Sequence, residues 1–184
     1  MHQMDETLSA PKQPFLLSLI SRTRRNHALE HATLHVLGEQ RVRRRMGGIS
    51  TPWGFYIFGD VATEELSAAA QEALRRLKGG RHEMAVHANC GTNFAAAAIL
   101  AGLGAFLVLG GSPKNRPKGF PNRLARLPLA CLAALGGIYL ARQVGPVVQA
   151  HVTTCSDVGG LCIASVARER RAGTSTVHLV RTRG

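Results

Sequence analysis

What the sequence has little of narrows it first. Acid is scarce: 11 Asp and Glu stand against 23 Lys and Arg, a formal net charge of +12. Aromatics make up only 5% of residues, and no RNP-like, zinc-finger or helix-turn-helix pattern accompanies the basic balance. A nucleic-acid partner is therefore disfavoured. The four cysteines, Cys90, Cys131, Cys155 and Cys162, form no Cys-x-x-Cys pair, and nothing in their spacing resembles a secreted disulfide framework. Residues 1–13 are polar and mixed in charge, without the basic start and small-residue cleavage site of a signal peptide, and are expected to form a flexible tail. A chain of 184 residues can bury one sizeable core but not two ordinary domains.

The most consequential absence is local. Between Glu83 and Lys114 there is no Asp, Glu, Lys or Arg, and from Phe94 to Leu109 the chain is wholly Phe, Ala, Ile, Leu, Gly and Val. With Thr92 and Asn93 at its mouth, this run predicts a transmembrane helix. A second apolar run, Leu127 to Ala141 between Arg126 and Arg142, is short for a span. Snorkelling arginines, local thinning, or extension to Val148 would let it cross. The connection from Ser112 to Arg123 carries Pro113, Pro117 and Pro121 among basic residues, so the two runs read as a hairpin. Gly102, Gly104, Gly136 and Gly137 suit close helix pairing in lipid. The alternative is a hairpin buried in a soluble core. Most Lys and Arg lie beside apolar segments, as anionic headgroups and the positive-inside rule would have them, which makes the bilayer the expected partner. Arg75, Arg76, Lys78 and Arg81 before the first run, weighed against the loop's own Lys114, Arg116, Lys118 and Arg123, lead to both ends of the hairpin being expected in the cytoplasm.

What is present centres on Asn26-His27-Ala28-Leu29-Glu30-His31. Residues i and i+4 share a helix face, so His27 and His31 can address one ion, with Glu30 within reach of its water. Neutral imidazoles bind a divalent metal and a carboxylate takes a proton from water; His-x-x-Glu-His supplies both, in the inverse order of His-Glu-x-x-His. Histidines merely solvated on a polar helix face are the competing interpretation.

Around this motif, Pro14 opens Phe15 to Ser21, an apolar stretch followed by Arg22, Arg24 and Arg25, which suits either a helix on a membrane surface or an amphipathic core helix. The helix runs through the histidines to Leu37, with Gly38 as its cap. The run Arg41 to Arg45 is expected to be a solvated or headgroup-facing loop. Gly47 to Asp60 is turn-rich, then apolar and aromatic, and reads as a strand. Thr63 caps a helix ended by Gly79-Gly80. Met84 to His87 is expected to be a short strand, closing a β-α-β unit. Leu161 to Val166 and Thr174 to Arg183, joined by a basic turn from Arg168 to Gly173, give two last strands. The fold class is thus an α/β (α+β) membrane-surface domain with a two-helix transmembrane hairpin inserted before the last strands. Its parts are a tail, 1–13; the His-motif helix and β-α-β unit, 14–91; the hairpin, 92–148; and strands completing a four-stranded sheet, 149–184.

Two helical histidines need a further ligand. His87, at the mouth of the first apolar run, is the leading candidate; Cys90 is a fourth ligand or an outer hydrogen-bonding partner, and Glu83 and His35 compete with His87. Three stretches carry a family resemblance: Asn26 to His31, His87-Ala88-Asn89-Cys90-Gly91-Thr92-Asn93-Phe94, and Gly145-Pro146 through Gln149 to Thr153-Thr154. In these the chain resembles the YqhQ-type bacterial membrane proteins, described as predicted metal-dependent enzymes, and their smaller relatives. Ala88-Asn89 replaces a Pro-Arg pair of that family, and the chain has fewer apolar runs. The resemblance implies an integral protein of the bacterial inner membrane, with a metal site built from His27, His31 and the His87 region. It offers His35 no counterpart.

The functional expectation is a membrane-embedded, zinc-dependent hydrolase, metallopeptidase-like, with a membrane-associated peptide or protein as substrate. His27, His31 and His87 would bind the metal and Glu30 would act as general base. A non-catalytic membrane adaptor or assembly factor with a structural metal site is the alternative, and a basic binder of anionic lipid or nucleic acid a third.

Overall fold

The computed structural model of the protein describes residues 14–40, 46–110, 120–172 and 175–184. The expected tail at 1–13, the arginine run at 41–45 and most of the basic loop, 111–119, lie outside the described residues. Among those described, the fold is mixed α+β, with five α-helices and a four-stranded sheet.

Helix α1, Phe15–Gln40, joins two environments. Its first turns leave Phe15, Leu16, Leu17 and Ile20 exposed, whereas Ala28, Leu29, Ala32, Val36 and Leu37 are buried. The helix continues past the expected Gly38 cap to Gln40, a difference within ordinary fraying of helix ends. Helix α2, Thr63–Lys78, has the expected limits, with acids in its first turn and basic residues in its last, complementing the helix dipole. Ala62 rather than Thr63 takes the cap position; the Thr63 hydroxyl instead meets His178 Nε2 at 3.1 Å.

The sheet has the order β1-β2-β4-β3, and all three pairings are antiparallel. The strand expected between Gly47 and Asp60 is two strands, β1 Gly47–Thr51 and β2 Gly54–Gly59, folded about Pro52-Trp53. Strand β3, Cys162–Ala172, runs through most of the expected basic turn, and β4, Ser175–Arg183, lies in the middle of the sheet between β2 and β3. Leu29, Val36, Leu66 and Leu77 from the two helices pack with Phe55, Ile57 and Val180 from the sheet to form the core.

The expected strand at Met84–His87 is absent, and with it the β-α-β unit. His82–Ala85 forms a 3₁₀ turn instead. The cause lies in where its backbone groups are satisfied. Ala85 O accepts from His31 Nδ1, Val86 O from His35 Nε2, and His87 O from Asn93 Nδ2, while His87 N donates to Gln149 Oε1. Distant side chains occupy the groups that a sheet ladder would need. The fourth strand is β1, whose Gly-Gly-Ile-Ser-Thr sequence carries little strand propensity and is ordered by pairing with β2.

Helix α3, Gly91–Gly110, is followed by the short α4, Phe120–Leu124, and by α5, Leu127–Val148. A π-helical turn, Gln149–Thr153, extends α5. Helices α3 and α5 pack antiparallel at very close range: a Cβ on Gly104 would lie 2.8 Å from Ala133 O, and one on Gly137 only 2.5 Å from Leu100 O. Both helices are long and apolar enough to cross a membrane. Phe94, Ile99, Phe106, Leu107, Leu132 and Leu135 point away from the pair, uncovered by protein.

Candidate metal centre

The spacing on α1 brings the two histidines of the motif together. The His27 and His31 rings lie side by side, centroids 4.3 Å apart. Each is held by a backbone carbonyl from a remote segment: His27 Nδ1 donates to Thr153 O at 3.0 Å, and His31 Nδ1 to Ala85 O at 2.7 Å. A carbonyl can only accept, so Nδ1 carries a proton in each ring and Nε2 is the atom left for an ion or, when protonated, for donation to the Cys90 sulfur. Such outer carbonyls orient metal-ligating imidazoles and raise their basicity.

The third donor is Cys90, the residue before α3. Its Sγ is 3.4 Å from His27 Nε2 and accepts from the Thr92 amide at 3.4 Å. Ligand atoms of His27, His31 and Cys90 all lie within 4.8 Å of one another, so this largely buried group could hold a metal ion. Burial alone would raise the Cys90 thiol, but hydrogen bonds from His27, His31 and Thr92 outweigh it and bring the pKa down to about 5. A thiolate is the form that binds metal. Burial likewise opposes protonation of His27, and the Cys90 and Thr153 partners with the charge of Glu30 reverse that, holding the imidazole above its ordinary value.

Glu30 is 4% exposed. The Ser50 hydroxyl donates to its Oε2 at 2.6 Å, and Gly48 of β1 lies so close that a Cβ there would overlap the carboxylate. Burial pushes this carboxyl above its usual range; the Ser50 hydroxyl and the two imidazoles pull the other way. Glu30 borders the same cavity of about 260 Å³ as His27, His31 and Cys90, walled by Met46–Ser50 on one side and by His87 and Asn89–Thr92 on the other.

The remaining candidates fall outside the cluster. His87 stands on the cavity wall, its ring 5.8 Å from that of His31 and 5.0 Å from that of His35. Its Nδ1 accepts from the Asn89 amide at 3.3 Å, leaving the proton of the neutral ring on Nε2, so neither nitrogen offers a free lone pair. Burial and then the neighbouring His35 and His31 lower its pKa to about 4. His35 donates through Nε2 to Val86 O and serves to hold that strip of chain. Glu83 is exposed in an ion pair with Arg81 and takes no part.

Sequence reasoning gave no individual role to the groups that hold the centre in place. Ser50 fixes Glu30. Gln149 is fully buried; besides accepting from His87 N, it donates to Asn93 Oδ1 at 2.6 Å. Arg24 reaches Thr154 O and His151 O, tying α1 to the π-helical turn that supplies the Thr153 carbonyl. The signal available was the set of three quoted stretches, Asn26–His31, His87–Phe94 and Gly145–Thr154. All three meet here.

A family model described as a domain of unknown function, DUF6391, matches residues 22–166, and the chain belongs to this family. The comparisons name that family and not the YqhQ-type proteins. The chain is similar to an uncharacterized protein of Picosynechococcus sp., 32% identical over 170 residues that cover 87% of this chain and 78% of the relative. No solved structure matches.

Proposed function

We propose that this protein is a membrane-embedded, metal-dependent hydrolase, with zinc as its metal. The observation that carries the reading is the convergence of His27, His31 and Cys90 beside the buried carboxylate of Glu30 in an open cavity. One thiolate with two imidazoles suits zinc, and three protein donors with a position left open are the pattern of catalytic sites, whereas structural sites close on four. That distinction favours a hydrolase over an adaptor with a structural metal.

When bound, the metal would supply Lewis acidity to a substrate carbonyl and to water. Glu30 then takes a proton from the attacking water, its oxygen bonds to the carbonyl carbon, and Glu30 returns the proton to the departing group as the scissile bond breaks. His87, on the cavity wall with its proton on Nε2, would be the donor to the oxygen on which charge develops.

The membrane reading rests on two helices whose apolar side chains have no protein partner, a surface that water would penalise and lipid would not. Because α3 and α5 are antiparallel, the centre and the sheet lie on one side of the bilayer, which positive charge assigns to the cytoplasm. A groove sharing Thr23, His27 and Thr92 with the cavity leads along Leu19 and Ile20 toward the exposed apolar start of α1, a path for substrate from the membrane surface. Kinship with YqhQ-type proteins belongs to the same proposal.

Detergent-purified protein is expected to hold about one zinc per chain, and His31→Ala to lose it. Glu30→Gln should keep the metal while hydrolysis of carbonyl substrates falls by ~10²–10⁴-fold. A metal-free wild type sinks the centre; an active Glu30→Gln removes only the base.

A further inference from the structure

We infer that the substrate of this centre is an extended polypeptide, held as an additional strand along the free edge of β1. The inference rests on the hydrolase reading and gives that site its substrate class.

Strand β1 stands at the end of the sheet, paired with β2 on one side only. Among the described residues, Gly47–Ser50 make no backbone hydrogen bond outside the ladder with β2. In an antiparallel ladder alternate residues point their N–H and C=O away from the paired strand, so an edge strand keeps a row of unpaired donors and acceptors. Proteins ordinarily blunt such an edge with lysine, proline or a covering segment. Here no Lys or Pro lies between Gly47 and Thr51, and each of these residues is at least partly exposed.

The edge also lies in the right place. Met46, Gly47, Gly48, Ile49 and Ser50 form one wall of the cavity that contains His27, Glu30, His31 and Cys90. Gly48 and Ser50 turn the same face of the strand toward Glu30, one by its lack of a side chain and the other by its hydroxyl. A chain laid beside β1 would therefore border the cavity that Glu30 also lines. Strand addition takes affinity from main-chain hydrogen bonds and leaves sequence preference to side-chain pockets. It suits a peptide, whose amides repeat at the spacing of the edge, and gives nothing to an acyl chain or a sugar.

The test uses the full chain in detergent, loaded with zinc, and a pool of randomised hexapeptides ending in a hydroxamate, a group that seeks the metal. Acetohydroxamate reports on the centre alone. The peptide pool should bind at least 10-fold more tightly than acetohydroxamate and slow hydrogen exchange at alternate amides between Gly47 and Thr51. N-methylating every second peptide amide should abolish the gain in one phase, counted from the hydroxamate, and spare it in the other, since only alternate amides face β1. If acetohydroxamate binds and the peptide pool binds no better, or both methylated phases bind alike, strand addition is overturned while the metal centre stands. If the protein takes up no zinc and binds neither probe, the hydrolase reading falls, and this inference with it.

Discussion

The two halves of the molecule solve opposite packing problems. In the sheet with α1 and α2, large apolar side chains turn inward, and Phe55, Leu29, Ile57, Leu66 and Leu77 are almost completely buried. In the α3–α5 pair the small residues turn inward and the large ones outward: Gly104 and Gly137 face the partner helix, while Phe106 and Leu132 face away. The first arrangement gains from excluding water. The second buries few large side chains between its helices and relies on backbones in close contact, the pattern described for helix pairs in lipid. Where the two meet, neither strategy suffices, and the polar groups concentrate there. Cys90, Asn93 and Gln149 come from the α3–α5 side; His27, Glu30 and His31 come from α1. The candidate centre is the seam between the halves.

Breaking the seam should have the largest effect. Among the described residues, Cys90 is the donor that the α3 side would contribute to a metal, and its removal would leave two imidazoles. Cys90→Ala should lower zinc affinity by more than the ~10–100-fold that loss of an outer partner costs, as measured by competition with a chromophoric chelator. Helix content in circular dichroism should stay unchanged. A variant that binds zinc as tightly as wild type would remove Cys90 from the ligand set and reopen the place for His87.

Gly48→Ala tests the sheet's side of the same seam. The new Cβ would collide with the Glu30 carboxylate, and the carboxylate, as the flexible partner, would leave the Ser50 hydroxyl. Displacing a reacting group by about 1 Å costs ~10²-fold in rate. Zinc content should not change, because no ligand moves. Unchanged hydrolysis in Gly48→Ala would mean that the position of Glu30 is immaterial to the chemistry.

How much of this the sequence showed depends on how local the determinant is. The hairpin helices and the His27–Glu30–His31 arrangement follow from composition and helical spacing, and both are present. Strand β1 and the Ala85–His87 strip were misjudged for one reason. A weak strand became real through its partner, and a plausible strand was dissolved by side chains from α1 and the π-helical turn. That Cys90 rather than His87 joins the His27–His31 cluster was equally out of reach, since it depends on how the strip from His87 to Cys90 folds back, with the His87 Nδ1 accepting from the Asn89 amide. The third stretch, Gly145 to Thr154, was visible as a pattern without a role; its work is done by a backbone carbonyl at Thr153 and a buried amide at Gln149.

Within the α3–α5 half, two adjacent glycines make a controlled comparison. A side chain on Gly137 runs into the backbone at Leu100, whereas Gly136 has nothing within 4 Å. Gly137→Leu should therefore force the helices apart at a cost of ~1–3 kcal/mol, read as a lower unfolding midpoint in detergent. Gly136→Leu should leave the midpoint in place. Equal effects from the two would mean that α3 and α5 do not pack as described.

The smallest effect expected lies wholly in the other half. His178 is buried on β4; its Nε2 meets the Thr63 hydroxyl, while its Nδ1 has no hydrogen-bond partner among the described residues. Burial first, then Arg168 on β3, depress its pKa below the ordinary 6.5, with Glu64 on α2 opposing. The folded state thus holds His178 neutral under conditions in which the unfolded chain would protonate it. Wherever the unfolded state binds more protons, stability rises with pH. This contribution is fully present above about pH 6.5, the unfolded value, and is lost as pH falls toward the depressed folded one. Chelator-treated wild type should accordingly lose more of its unfolding midpoint between pH 7.5 and 5.5 than His178→Gln, which has nothing to titrate at that position. Removing metal from both leaves every other titrating group common to the pair, so their difference isolates the sheet. Parallel pH profiles would show that the acid sensitivity of this protein resides at the seam and not in the core beneath it.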